Sequence, residues 1–107
     1  MNTAAERHGT LVWIRTPSCE RRVEGLRVAS GLAVWSENEP VSVVWEASEN
    51  VDPLPPHLAE QWDQHLAVLH EHGAKCWKRG PKEEGWKKIT PAGWLDVMRK
   101  ARVVLEF

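Results

Sequence analysis

The spacing of apolar residues switches repeatedly between a strand pattern and a helix pattern along the chain. Residues 10–15 (Thr-Leu-Val-Trp-Ile-Arg) and 41–45 (Val-Ser-Val-Val-Trp) are β-branched and aromatic runs with almost no polar interruption. Such runs favour strands that are covered on both faces. Residues 74–77 and 102–107 predict two further strands, so we expect four in all.

The segment after the first strand predicts a helix. Thr16-Pro17-Ser18 offers a capping hydroxyl and a proline for the first turn. Small and apolar positions then recur at steps of three and four, which places them on one helical face: Cys19, Val23, Leu26, Ser30 and Ala33. We expect the polar positions to face solvent: Arg21, Arg22, Glu24 and Arg27. Gly25 and Gly31 each cost about 1 kcal/mol in a helix interior, so a hairpin turning at residues 30–31 is the alternative.

Two more helices are predicted from their apolar stripes and caps. The second helix is predicted between a proline-rich loop and Gly73, which suits a left-handed C-terminal cap. Its apolar stripe consists of Leu58, Trp62, Leu66 and Leu69. The third follows Thr90-Pro91 and has this stripe: Trp94, Val97, Met98 and Ala101. Residues 78–88 between them are basic and predict a loop with at most one helical turn.

The predicted order β-α-β-α-β-loop-α-β is typical of an α/β fold. We expect a three-layer sandwich with a mainly parallel, roughly four-stranded sheet, because parallel neighbours need crossover connections. Four strand residues should be buried on this sheet: Val12, Val43, Cys76 and Val104. Residues 9–107 would form one domain after a flexible segment 1–8. Ligands of such sheets gather at the carboxyl ends of the strands, here residues 16–20, 46–55 and 78–88.

Composition narrows the class of protein. The chain has 107 residues, of which 42% are apolar and 27% charged, which is typical of one globular domain. Apolar runs fall far short of the ~18 to 20 residues of a membrane span. The N-terminal residues lack the basic start and apolar stretch of a secretory signal, so we expect a cytoplasmic protein. Two cysteines without CxxC spacing argue against a disulfide scaffold, structural zinc and a thioredoxin motif.

The net charge of −1 conceals two segments of opposite sign. Residues 36–74 contain eight acidic residues and no Lys or Arg, whereas residues 75–102 contain nine basic and three acidic residues. The two segments can neutralise each other within one fold, or the basic one can bind an anion or an acidic partner. Lys78, Arg79 and Lys82 are candidate binding residues, together with Thr16 and Ser18 beside the first strand. The alternative for these cations is a solvated turn.

Cys19 is the candidate nucleophile. It falls in the first turn of the predicted first helix, close to Arg21 and Arg22, and both a helix N-terminus and positive charge favour a thiolate. The alternative is that Cys19 is the first apolar residue of that helix and inert. Cys76 lies inside a predicted strand, where a structural role is expected.

The sequence contains no pattern typical of metal binding, nucleotide binding or hydrolysis. The helical spacing of His65, His70 and His72 does not allow two of their side chains to bind one metal ion. No metal site and no cofactor are therefore expected. The sequence contains no P-loop, GxGxxG or Ser-His-Asp order. Nucleic acid is a disfavoured partner, because basic residues interleave with aromatics only in residues 78–88.

Seven tryptophans are more than a small core can cover. Five fall in predicted strands or apolar stripes: Trp13, Trp45, Trp62, Trp77 and Trp94. Trp35 and Trp86 lie outside those patterns, and exposed aromatics often mark protein contacts. We therefore expect a homodimer or larger assembly, with residues 78–88 near the contact or facing the acidic 46–52 loop of a neighbour.

Several segments together point to a family. The first strand ends in Arg15-Thr16-Pro17, residues 24–32 are Glu-Gly-Leu-Arg-Val-Ala-Ser-Gly-Leu, and residues 41–45 follow as the second strand. This order resembles the opening of the DsrE/DsrF-like sulfur-relay proteins, which include the Tus subunits. Residues 70–75 (His-Glu-His-Gly-Ala-Lys) resemble the helix-to-strand passage of this family, and residues 94–107 resemble its final helix and strand.

The resemblance implies a three-layer α/β fold, homo- or hetero-oligomers and, in active members, a cysteine that carries persulfide sulfur after the third strand. Six residues beyond Gly73, where that cysteine tends to fall, stands Arg79, and Cys76 comes three positions earlier. The chain therefore resembles a non-catalytic subunit that acts as a partner of sulfur-relay proteins. The alternatives are a sulfurtransferase that uses Cys19 and an unrelated α/β module that binds an acidic protein or nucleic acid through residues 78–88.

Overall fold

A computed structural model describes residues 7–36, 39–47 and 51–107. The elements in chain order are β1 (Thr10–Ile14), α1 (Cys19–Trp35), β2 (Val41–Glu46), α2 (Pro56–Glu71), β3 (Lys75–Arg79), β4 (Lys87–Lys88), α3 (Pro91–Lys100) and β5 (Val103–Glu106). The strands form one parallel sheet in the order β4-β3-β2-β1-β5. The predicted α/β class with a parallel sheet is confirmed. The sheet has five strands, because the two-residue strand β4 adds to β3 within the predicted loop.

The first helix continues through both of its glycines, so the alternative hairpin at residues 30–31 is wrong. Ser18 caps α1 by accepting a hydrogen bond from the Arg21 backbone N–H at 3.3 Å. A Cβ at Gly25 would lie 3.0 Å from side-chain atoms of both Ile14 and Phe107. Glycine at this position therefore lets α1 pack closely on the sheet, which offsets its low helix propensity.

The two faces of the sheet carry cores of different size. The larger core lies between the sheet and the helices α1 and α2, and the smaller one lies under α3, where Trp94 packs on Leu11 and Val44. Val12, Val43 and Cys76 are buried as predicted. Val104 is 40% exposed, so its predicted burial is wrong. It belongs to β5 at the edge of the sheet, where a neighbouring strand covers one side only.

One of the two tryptophans that were predicted to be exposed is buried in the structure. Trp35 at the end of α1 is 85% exposed, as expected. Trp86 is only 3% exposed, so its predicted exposure is wrong. Its loop folds back over α2, where the His70 ring Nε2 lies 2.8 Å from the Gly85 carbonyl oxygen. The Trp86 ring thereby joins the larger core.

Some predictions concern residues outside those described. Residues 1–6 of the segment predicted to be flexible and residues 48–50 of the acidic loop are among them. None of the helices in the described ranges combines the length and the apolar character needed to cross a membrane.

Candidate functional site at the carboxyl ends of the strands

The turn between β1 and α1 is built by the hydroxyl groups of Thr16 and Ser18. The Thr16 side chain accepts a hydrogen bond from the Ser18 backbone N–H at 3.1 Å, and the Ser18 side chain caps α1. These contacts start α1 at the carboxyl end of β1 and make Cys19 its first residue. Contact of either hydroxyl with a ligand remains a prediction.

A buried arginine lies against the thiol of Cys19. The Arg22 Nη2 is 3.4 Å from the Cys19 Sγ and donates a hydrogen bond to the Asp52 carbonyl oxygen at 2.8 Å. Arg22 is only 2% exposed, so its predicted position on the solvent face of α1 is wrong. Its Nε is buried and has no hydrogen-bond partner among the described residues. Positive charge held beside a sulfur atom stabilises the thiolate form.

Arg22 is buried because the loop before α2 and the aromatic side chains of the core enclose it. Its guanidinium carbon lies 5.9 Å from the centre of the Trp45 ring. On the same ring, the Lys78 ammonium lies 4.4 Å from the ring centre. Cation–π attraction is stronger in such desolvated positions than at the surface. Four side chains therefore form a row across the carboxyl ends of β1, β2 and β3: Cys19, Arg22, Trp45 and Lys78.

Lys78 is a buried strand residue rather than the start of a basic loop. It lies in β3, is almost wholly buried, and its Nζ is 3.2 Å from the Glu83 carboxylate. Glu83 therefore neutralises the ammonium within the chain. Lys78 and Trp86 are both buried, so the site is shielded from solvent on the side where the loop after β3 lies.

The three candidate cations of residues 78–82 do not converge. Arg79 follows Lys78 in β3, so its side chain points to the opposite face of the sheet. There it forms an ion pair with Glu46 at 2.6 Å and lies 4.9 Å from the centre of the Trp94 ring. Lys82 is exposed in the following loop. A shared anion cradle formed by these three residues is not present in this arrangement.

Cys76 has the environment of an inert thiol. It is the second residue of β3 and is packed in the larger core. Burial raises the pKa of the Cys76 thiol to about 12. Since the thiolate is the reactive form, Cys76 is not a nucleophile at neutral pH.

A cleft of the described residues lies at the other end of the sheet. It has a volume of about 450 Å³ between the amino ends of the strands and α3, with Ser42, Lys75, Trp77 and Thr90 among its lining residues. It does not include Cys19 or Arg22. We place the candidate site at the carboxyl ends because a thiol, buried cations and a helix N-terminus meet there among the described residues. The described ranges contain no group of three His, Cys, Asp or Glu placed to hold a metal.

The burial of Arg22 is the feature that the sequence interpretation missed. Its signal is the spacing, because residues three apart on a helix are neighbours, and Arg22 stands three residues after Cys19. The involvement of Trp45 and Lys78 had no comparable local signal. Both depend on how β2 and β3 pair, with Trp45 beside Lys78 in the register.

Comparison with known proteins bears on the fold. Neither a protein-family model nor a curated protein matches the chain. Among solved structures, it is similar to the crystal structure of the YchN protein from E. coli, with a TM-score of 0.70 and 14% identity over 94% of this chain and 99% of that one. This similarity confirms the α/β fold with a parallel sheet. At this identity the likeness concerns the fold alone.

Proposed function

We propose that this chain is a DsrE/DsrF-like sulfur-relay protein that carries a sulfur atom on Cys19. The observation that carries the proposal is the contact of 3.4 Å between the buried Arg22 guanidinium and the Cys19 sulfur. Cys19 is also partly exposed, whereas Cys76 is buried. Reactive cysteines combine positive surroundings with partial exposure, and Cys19 has both. The setting that we propose is the cytoplasm.

The reaction is the transfer of one sulfur atom between thiols. The Cys19 thiolate attacks the outer sulfur of a donor persulfide, R–S–SH. A sulfur–sulfur bond forms at Cys19 while the donor's sulfur–sulfur bond breaks, and the donor leaves as its thiolate, R–S⁻. Arg22 offers its positive charge to whichever sulfur bears the negative charge. Transfer to an acceptor thiol repeats the step with Cys19 as the leaving group.

The second candidate function is that of a non-catalytic partner in sulfur trafficking. It is favoured by Arg79, which occupies the position where the family's sulfur-carrying cysteine is expected and is engaged by Glu46. In that case Cys19 and Arg22 stabilise the fold, and the chain acts by binding other sulfur-relay subunits. Binding of an acidic protein or nucleic acid through residues 78–88 is less well supported, because Lys78 and Arg79 have partners within the chain.

Assembly into homo- or hetero-oligomers is part of both proposals. The reason for placing the contact at residues 78–88 was the expected exposure of Trp86, and that ring is buried. Arg79 pairs with Glu46 of its own chain rather than with a neighbour's acidic loop. The exposed side chain of Trp35 still offers an aromatic contact.

Sulfide release tests the proposed function. The purified chain is treated with inorganic polysulfide, freed of donor and reduced, and the sulfide released is measured. We expect about one sulfide per chain, none from Cys19→Ser, and an undiminished yield from Cys76→Ala, because only a thiolate accepts sulfane sulfur. Circular dichroism establishes that each variant is folded. Equal release from wild type and Cys19→Ser, or none from wild type, would contradict sulfur carriage on Cys19.

A further inference from the structure

The outer edge of β5 is open and apolar. β5 pairs with β1 on one side, and among the described residues no strand lies on its other side. The neighbouring residues Val103 and Val104 are both exposed along it. Unprotected edge strands are templates for pairing with another chain. The opposite edge, β4, is two lysines long and is thus protected by its length and charge.

The hydrogen bonds of β5 show which backbone groups are free. Val103 donates to the Gly9 carbonyl oxygen and Phe107 donates to the Trp13 carbonyl oxygen. Backbone groups in a strand alternate in direction. The N–H and C=O groups of Val104 and Glu106 therefore point away from β1, toward the open side. A new strand on this edge would bond to them.

We propose that two copies of this chain pair through β5 in antiparallel orientation, with the two-fold axis at Val104. Val104 then lies opposite Val104 of the second copy, and the two exchange both of their free backbone hydrogen bonds. In the same register Arg102 lies opposite Glu106 of the second copy, twice by symmetry. Val104 and Glu106 share one face of β5, so like faces meet, and Arg102 directly precedes the strand, so its pairing extends β5 by one residue. The segment is therefore complementary to itself in charge, in apolar contact and in hydrogen bonding.

The present partners of the two charged residues do not prevent this pairing. Arg102 forms an ion pair with Glu39, and Glu106 lies 3.5 Å from Arg15. The four side chains are between 39% and 55% solvent-exposed, and ion pairs at the surface contribute little to stability. Exchanging them for two cross-strand pairs costs little, and opposite charges facing each other across strands are stabilising.

An exposed leucine on α3 adds apolar surface next to this edge. Leu95 is 68% exposed. Gly93, Val97 and Lys100 line the cleft that reaches β3. By helical periodicity Leu95 lies on the opposite flank of α3, the one nearer β5. In the proposed pair the two α3 helices approach across the same axis, and Leu95 would lose exposure.

A charge-swap series tests the register. The association constant is measured by sedimentation or light scattering over a wide dilution series, starting from a species of twice the 12.2 kDa chain mass. Arg102→Glu and Glu106→Arg each turn two attractive pairs into two repulsive ones, so we expect each to raise the dimer Kd by about tenfold or more. The double variant R102E/E106R restores the opposite charges, and its Kd should return to within about threefold of wild type. Arg27→Glu, on the exposed side of α1 that is turned toward α2, makes the same charge change away from β5 and α3 and should leave the dimer Kd unchanged.

Val104→Pro tests the backbone bonds separately. The Val104 N–H does not bond to β1, so proline there removes only the outward donor, which edge strands tolerate. We expect a folded monomer by circular dichroism. A chain mass of 12.2 kDa at every concentration, a dimer unaffected by all these variants, or a double swap as weak as the single ones would overturn the proposal. This inference stands apart from Cys19, and loss of sulfur release without loss of the dimer would refute only the proposed function.

Discussion

Replacing Trp62 by alanine is expected to lower the free energy of unfolding by about 3 to 5 kcal/mol. Trp62 is buried in α2, and its ring centre lies 4.9 Å from that of Trp45 and 5.6 Å from that of Trp86. The substitution leaves a cavity the size of an indole between three elements and removes two aromatic contacts. Urea unfolding followed by circular dichroism measures the loss.

Trp35→Ala is the matched control for this experiment. It removes the same side chain from a position that is 85% exposed, so its effect should stay within about 0.5 kcal/mol. A loss below about 1 kcal/mol for Trp62→Ala would contradict the central place of Trp62 in the larger core, because truncated buried tryptophans cost several times more.

Replacing Arg22 by methionine is expected to slow the reaction of Cys19 with iodoacetamide severalfold, because the guanidinium 3.4 Å from the sulfur is the positive charge nearest to the attacking atom. Methionine fills much of the same buried space without the charge. The rate is followed by mass spectrometry of the peptide that contains Cys19.

Arg21→Met provides the control for Arg22→Met. Arg21 is exposed and directs its guanidinium toward the Phe107 ring at 5.9 Å rather than toward the thiol. Its loss should leave the alkylation rate of Cys19 nearly unchanged. Equal rates in wild type and Arg22→Met would show that the guanidinium does not activate the sulfur.

The parts of the fold that were predictable are those set by local pattern. The continuous β-branched runs of β1 and β2 indicated buried parallel strands, and the left-handed cap at Gly73 has the expected positive φ of 73°. The stripe of α2 placed Trp62 correctly in the core. In each case the local spacing and the tertiary packing favour the same structure.

The errors arose where long-range packing decides. Arg22 is polar by type but becomes buried because the loop around Asp52 folds over α1 and accepts its hydrogen bond. Trp86 lies in a loop without periodicity, and it becomes buried through the contact of Gly85 with α2 and the packing of its own ring on Trp45 and Trp62. Val104 has the residue type of a buried strand, yet the strand order places it at an edge. Apart from the three-residue spacing of Arg22 from Cys19, no local spacing encodes these contacts, because the partners that decide them lie far away in the chain.

The measurement that tests the central claim most directly is the location of the sulfur atom on the folded chain. Wild-type protein is incubated with a small-molecule persulfide, its intact mass is recorded, and its peptides are mapped after alkylation. We predict a gain of about 32 Da, one sulfur atom, carried by the peptide that contains Cys19, with Cys76 unmodified until the chain is unfolded. Sulfur found on Cys76 of the folded chain, or no gain in mass, would contradict the account.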